Sequence, residues 1–276
     1  MDYEKTVANH YAKSGLEQTI LQALAASGKD VAALTPADLS PVDEFHVGGR
    51  QATMNLVAQL DLKPGQHLLD IGSGLGGPSR FFAAEQGSQV SGIDLTEDYV
   101  QTATALAGRV GLGGRVSYRQ GSALDLPFMP GSFDGAYMLH VGMNIADKPA
   151  LFAGIRRALK PGGFFAIYDV MQDGAGELQF PLPWASQATA SFVETVAHYR
   201  QALEAAGFTI RVTNNRRDFA METFRQQRAR QTENGKPPAL GIHLLMGADF
   251  PHKMANMNRL VERGVIAPVE MIATAI

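Results

Sequence analysis

The chain has no cysteine, so a disulfide framework and a thiolate metal site are both excluded. It has no surplus of basic charge. Its 24 Lys and Arg stand against 27 Asp and Glu, a net charge of −3, and no global field draws nucleic acid. It has no apolar run of the roughly 18 residues that a membrane span needs. Its polar opening stretch, MDYEKTVANHYAKSGLEQ, lacks the apolar segment of a signal peptide. A cytoplasmic protein is therefore expected. No H-E-x-x-H and no close His/Asp cluster occurs, so no metal is expected. Neither a G-x-S-x-G elbow nor a Walker A loop is present, which removes hydrolase and nucleoside-triphosphatase readings on motif grounds. Tryptophan occurs once, as Trp184.

What is there is apolar bulk. Of 276 residues, 45% are hydrophobic and 18% charged, enough for one large core and unlike a disordered chain. In the first sixty residues, Leu16, Ile20, Leu21 and Leu24 share one helical face, and Ala52, Leu56, Val57 and Leu60 repeat the spacing. From residue 66 the rhythm becomes α/β. Apolar runs bounded by Gly and Pro predict strands over 67–71, 89–94, 115–122, 132–141, 163–170 and 208–214, with helices between them. Such alternation predicts a parallel sheet with helices on both faces, since right-handed crossovers place them there. Helices near 219–232 and 250–263 and a strand at 268–274 complete the tail. The expected organisation is a helical cap over 1–60, a core over 61–215, a second cap segment over 216–264 and a last strand over 265–276. Residues 213–264 carry nine Lys and Arg against five acids. They read either as a solvated helix face or as a basic wall over a site for an anionic substrate.

The chemistry starts at LLDIGSGLGGP, residues 68–78, where a strand runs into a glycine-rich turn and then a helix. Glycines allow a tight turn and close approach of backbone to ligand, and the helix start offers free N–H groups. Gly72, Gly74 and Gly77 satisfy G-x-G-x-x-G, which alone is weak. Asp94, 24 positions after Asp70, ends the second strand, where a carboxylate can accept both hydroxyls of a ribose. Asp70, just before the first glycine, would face a pyrophosphate unfavourably but could hold a cation, which disfavours a nicotinamide-dependent oxidoreductase. Plainer roles are a loop brace for Asp70 and a helix-start acid for Asp94.

With LLDIGSGLGG (68–77), GIDL (92–95), GSALDLPFMPGSFDGAYMLHV (121–141) and LKPGGFFAIYDV (159–170), the chain resembles the class I S-adenosylmethionine-dependent methyltransferases. Within them it is most similar to the small-molecule branch of sarcosine/dimethylglycine N-methyltransferases and ubiquinone, menaquinone and tocopherol methyltransferases. DEFHVGGRQAT (43–53) and PLPWA (181–185) add to that likeness. The resemblance implies a Rossmann-like α/β fold, a seven-stranded mostly parallel sheet with an antiparallel last strand. It implies S-adenosylmethionine as cofactor, with Asp70, Gly72, Ser73 and Gly74 along its methionine half and Asp94 at its ribose. Leu95, Ser122 and Ala123 would flank the adenine; many members have an acid where Ser122 stands. His140, at the end of the fourth strand, would lie next to the transferable methyl.

Methyl transfer is an in-line displacement on an activated leaving group, so alignment and water exclusion do most of the work. An amine acceptor needs orientation and a proton exit, whereas a hydroxyl usually needs a base, for which His140 and His46 are candidates. Tyr3, Tyr11, Phe45, Tyr137, Tyr168 and Trp184 could surround a methylated ammonium, and of these Tyr11, Phe45 and Trp184 are the candidates for substrate contact. Met246, with Met254 and Met257, would suit an adaptable lid. The expected partner is a small-molecule methyl acceptor, leaning to an amine of the sarcosine or dimethylglycine kind. The alternative is O- or C-methylation of a phenolic, quinone-like or sugar acceptor with His140 as base. A cofactor-binding protein without catalysis is a further class, and the oligomeric state is left open, a homo-oligomer included.

Overall fold

The computed structural model describes residues 2–234 and 238–276. Four helices open the chain: α1 (Asp2–Tyr11), α2 (Leu16–Ala26), α3 (Pro36–Asp43) and α4 (Gly49–Val57). Strands and helices then alternate through β1 (His67–Ile71), α5 (Gly77–Glu85), β2 (Gln89–Asp94), α6 (Glu97–Arg109), β3 (Val116–Gln120), β4 (Phe133–Leu139), α7 (Lys148–Ala158), β5 (Leu159–Gln172), α8 (Val196–Ala205) and β6 (Phe208–Asn215). The tail adds α9 (Arg217–Asn234), the single turn α10 (His243–Met246), α11 (Phe250–Glu262) and β7 (Ile266–Ala275).

One seven-stranded sheet has the order β3-β2-β1-β4-β5-β7-β6. β1 pairs in parallel with β2 and β4, β2 with β3, and β4 with β5. β7 inserts between β5 and β6 and runs antiparallel to both, as the resemblance implied. The strand order reverses between β1 and β4, and ligands of open α/β sheets bind outside the carboxyl ends at such a switch point.

The two-residue period of β1 explains its role. Leu69 and Ile71 bury into one side of the core with Met138 and Ile167. Leu68 points to the other side, where Phe81 and Phe82 of α5 cover it. Asp70 shares Leu68's face. A carboxylate therefore ends up at the carboxyl end of a central strand, under the start of a helix.

Two expected boundaries shift for identifiable reasons. The fifth strand begins at Leu159, not 163, because Leu159 already pairs with Phe133 and residues 160–163 bulge before pairing resumes at Gly135 with Phe164. The third strand stops at Gln120, since Gly121 turns to donate to the Asp94 carbonyl at 2.9 Å. The turn α10 was not foreseen; four residues are too few to show a periodicity.

Helices from both ends of the chain lie over the switch point. Leu16, Ile20, Leu39 and Val42 pack with Tyr99 and Leu106 of α6 and with Leu240 and Leu245. Val7, Val47, Trp184, Phe224, Met257 and Leu260 form a second cluster against β5. The cap is locked to the sheet by a buried ion pair: Arg80 of α5 donates to Oδ2 of Asp43, the last residue of α3, and both side chains are buried. Gly77 makes the approach possible, because a Cβ there would lie 2.4 Å from the Asp43 carbonyl oxygen. Removing one partner of such a pair strands the other charge, a loss of about 3–5 kcal/mol. Arg80→Met should therefore lower unfolding stability by that order in urea titration, and an unchanged midpoint would refute the locking role.

Candidate functional site

The glycine turn begins where β1 ends. Gly72 has φ 68°, and a side chain there would collide with the methyls of Val141 at 2.4 Å, so glycine is required on both counts. The turn is tied to the end of β2. The N–H groups of Gly72 and Ser73 donate to the Ile93 carbonyl at 2.8 and 3.0 Å, and Gly74 N–H donates to Asp94 Oδ2 at 2.8 Å. Asp94 Oδ1 accepts from Thr96 N–H at 2.8 Å. Burial pushes the Asp94 carboxyl above its ordinary range.

Asp70 is 2% exposed, and its Oδ2 accepts from Ser79 Oγ at 2.6 Å, with Tyr137 behind Ser79 at 3.4 Å. Burial, reinforced by the charge of Asp94, pushes its carboxyl up to about 7 against the pull of these hydrogen bonds and of Arg80. No Lys or Arg among the described residues lines the cleft beside these two acids. A buried carboxylate without a counter-charge is costly and is relieved by a cationic ligand.

The cleft outside these strand ends spans about 1500 Å³ with its open mouth included. Asp70, Gly72, Ser73, Gly74, Asp94, Leu95, Ala123, His140, His46, Tyr11, Phe45, Trp184 and Met246 all line it. Ser122 does not: its hydroxyl donates to Glu4 at 2.6 Å and accepts from Leu124 N–H at 3.0 Å, while its neighbours Gly121, Ala123 and Leu124 face the cleft. The serine serves to hold α1. Tyr137, stacked on Phe82 at 4.4 Å, is core filling. Three further lining residues carry buried polar atoms with no hydrogen-bond partner: Ser73 Oγ, Asp43 Oδ1 and Tyr99 OH. Such orphans are expensive unless a ligand meets them. A molecule with a ribose, an ammonium and a sulfonium fits this set of acceptors, donors and uncompensated carboxylates.

Asp43 and Tyr99 had not been singled out as site residues. Asp43 stands in the 43–53 stretch, and Tyr99, five positions after Asp94, falls in the first turn of α6, next to the strand ends.

His140 sits at φ 55°, an uncommon left-handed conformation for a non-glycine residue. Its backbone N–H and its Nδ1–H both reach the Tyr168 carbonyl, at 2.7 and 3.1 Å, and its Nε2 accepts from Val47 N–H at 3.3 Å. Tyr168 OH donates to the Val47 carbonyl at 3.0 Å. His140 and Tyr168 thus hold the Val47 backbone in the cap loop, one through its N–H and the other through its carbonyl. No lone pair of the His140 ring is left for an acceptor proton, and burial lowers its pKa to about 4. In His46, Nε2 donates to the Gly49 carbonyl at 3.1 Å, which fixes the tautomer and leaves Nδ1 unprotonated. Thr53 Oγ1 lies 3.1 Å from Nε2 and donates to Glu44 at 2.7 Å. Burial, with the neighbouring His140, lowers the His46 pKa to about 3.

The acceptor side is closed by α1 and the tail. Tyr3, Glu4, Val7 and Tyr11 of α1 line the cleft. Tyr11 OH donates to Asn144 Oδ1 at 3.0 Å, and Asn144 Nδ2 donates to the Trp184 carbonyl at 2.8 Å. The basic residues of the tail form no wall here. Arg217 donates to the carbonyls of Val261 and Glu262, Arg228 pairs with Glu262, Arg225 with Glu222 and Arg216 with Glu270. Lys236 lies outside the described residues. Among the described residues no group of His, Asp or Glu is arranged to hold a metal ion, and no helix is long and apolar enough to cross a membrane.

Comparison with known proteins agrees with this geometry. Residues 69–167 match the family described as a methyltransferase domain. The chain is 35% identical over 136 residues to O-methyltransferase resE of Aspergillus sclerotiorum, covering 49% of this chain and 52% of that protein. It is 31% identical over 180 residues to phosphoethanolamine N-methyltransferase 1 of Arabidopsis thaliana, covering 65% of this chain and 36% of that one. The chain thus spans about half the length of the first relative and about a third of the second. Its fold is similar to that of geranyl diphosphate C-methyltransferase from Streptomyces coelicolor A3(2), with a TM-score of 0.72 at 16% identity over 100% of this chain and 98% of that one. The methyltransferase domain covers the strands that carry the glycine turn, Asp70 and Asp94, and in this domain the chain is similar to the class I S-adenosylmethionine-dependent methyltransferases.

Proposed function

We propose that this protein transfers a methyl group from S-adenosylmethionine to a small molecule held beneath the helical cap. One observation carries the reading: a buried carboxylate, Asp70, and a half-buried one, Asp94, flank a glycine turn at the switch point and share one cleft with an apolar chamber. When bound, the cofactor supplies a methyl on a sulfonium, a leaving group that needs no further activation. Asp94, beside Gly74, would take the ribose hydroxyls, and Leu95 and Ala123 the adenine. Asp70, Ser73 and Asp43 would surround the charged methionine end. The rest of the chain's work is to orient the acceptor and exclude water.

The lean towards an amine draws support from the two histidines. His140 has both ring nitrogens engaged, which counts against its role as base for O- or C-methylation. His46 keeps a lone pair on Nδ1 but is a weak base. An amine whose own lone pair attacks needs neither, and apolar surroundings keep that amine uncharged. Transfer to an acidic phenol or enol, with Nδ1 of His46 receiving the proton, is the second reading.

Calorimetric titration with S-adenosylhomocysteine should show saturable binding. Asp94→Ala should weaken it by about 1–3 kcal/mol, the worth of hydrogen bonds to a charged group; equal affinity would remove Asp94 from the ribose. Asp70 gives a pH signature. Its free carboxyl titrates near 7, and a bound cation favours the ionised form, so binding expels protons. Affinity should fall as pH drops below about 7, and the heat of binding should depend on the buffer's ionisation enthalpy. Both effects should vanish in Asp70→Asn.

A further inference from the structure

We infer that the acceptor is an uncharged, largely apolar molecule, and that the chamber turns away acceptors bearing a carboxylate or a phosphate. The inference rests on the methyl-transfer reading and narrows its substrate class.

Space comes first. The cleft runs on from the glycine turn, Asp70 and Asp94 past His140 to Met143, Trp184 and Met257, so it has a wall beyond the residues that would hold an adenosyl group. That wall is built by Val47, Met143, Trp184, Phe224, Met246 and Met257, which come from six separate segments of the chain. Its polar members are neutral, such as Gln227 and Asn144, and the two histidines stay neutral at ordinary pH.

Charge decides the rest. Among the described residues that line the cleft, none is Lys or Arg, and every formal charge is a carboxylate: Glu4, Asp43, Asp70 and Asp94. An anionic acceptor would leave water for a wall that offers no Lys or Arg, beside Asp70 and Asp94, and such a transfer is strongly unfavourable. A protonated amine could be drawn to the acids, but it has no lone pair with which to attack. The neutral form of an apolar molecule meets neither obstacle. The methionines among the wall residues can adjust to its shape. The sarcosine- or dimethylglycine-like acceptor carries a carboxylate and falls outside this class; an apolar amine stays within it.

The chain provides its own reporter. Trp184 is the single tryptophan, is 1% exposed and lines the chamber. The intact protein, saturated with S-adenosylhomocysteine, would be titrated with 1-decanol and separately with decanoate, above the carboxylate's pKa, while tryptophan fluorescence is followed. A saturable change with decanol and binding of decanoate weaker by about tenfold or more is expected, since an unpaired buried charge costs more than the free energy of one decade. Met246→Arg places a cation in the wall and should strengthen decanoate binding by about tenfold or more relative to the unaltered protein. Met257→Lys provides the same test should the first variant misfold. Decanoate binding as tightly as decanol, or neither probe altering the fluorescence, would overturn the inference. Calorimetry on the same sample separates the two levels. If S-adenosylhomocysteine binds and the two probes do not discriminate, only the acceptor class fails. If S-adenosylhomocysteine does not bind, the methyl-transfer reading fails first.

Discussion

Negative charge buried without a protein cation is the constraint around which this molecule is arranged. Asp70 and Asp94 are held at the ends of neighbouring strands by the sheet itself, and hydrogen bonds from Ser79, Gly74 and Thr96 offset only part of their desolvation. Arg80 is near Asp70 but is committed to Asp43. The protein therefore keeps two partly desolvated acids in its cleft, and on the proposed reading a ligand with positive charge and hydroxyl groups relieves them. Pre-positioning of this kind places the charge-recognition work in the fold and leaves little reorganisation for binding.

The cap follows from the same arrangement. Its loop 43–49 touches the glycine turn through Asp43, the acceptor chamber through Val47 and the end of β4 through His140. The Val47 backbone, held at its N–H by His140 and at its carbonyl by Tyr168, ties the chamber roof to the end of β4 and to β5. His140 adopts a strained backbone there because three hydrogen bonds to Tyr168 and Val47 over-determine it. The residue is better described as a brace between cap and sheet than as an acid or base.

Much of this was legible before any coordinates. Period-two apolar runs and Gly/Pro punctuation revealed the strands, and the glycine turn with acids 24 positions apart pointed to the cleft and its ligand. What escaped were pairings between distant positions. The hydroxyl of Ser122 belongs to Glu4, 118 residues away, so a serine expected beside an adenine turns out to hold a helix. The lone pair of His140 belongs to Val47, 93 residues away, and its base-like identity says nothing of that. Arg80 and Asp43 are 37 apart, and neither advertises a buried partner. The tail's basic residues read first as a solvated face and second as a wall; Arg216, Arg217, Arg225 and Arg228 are engaged by Glu222, Glu262, Glu270 and helix-end carbonyls, which takes these four out of a wall.

The first helix lies across both halves of the cleft. Glu4 reaches Ser122 just after β3 and Tyr11 reaches Asn144 beside the chamber, with Val7 packed between. Each end is held more than once: Tyr3 meets Phe192 edge-on at 5.3 Å near the first contact, and His10 reaches the Pro183 carbonyl at 3.0 Å near the second. One helix thereby walls both compartments, and on the methyl-transfer reading its loss would uncover cofactor and acceptor alike.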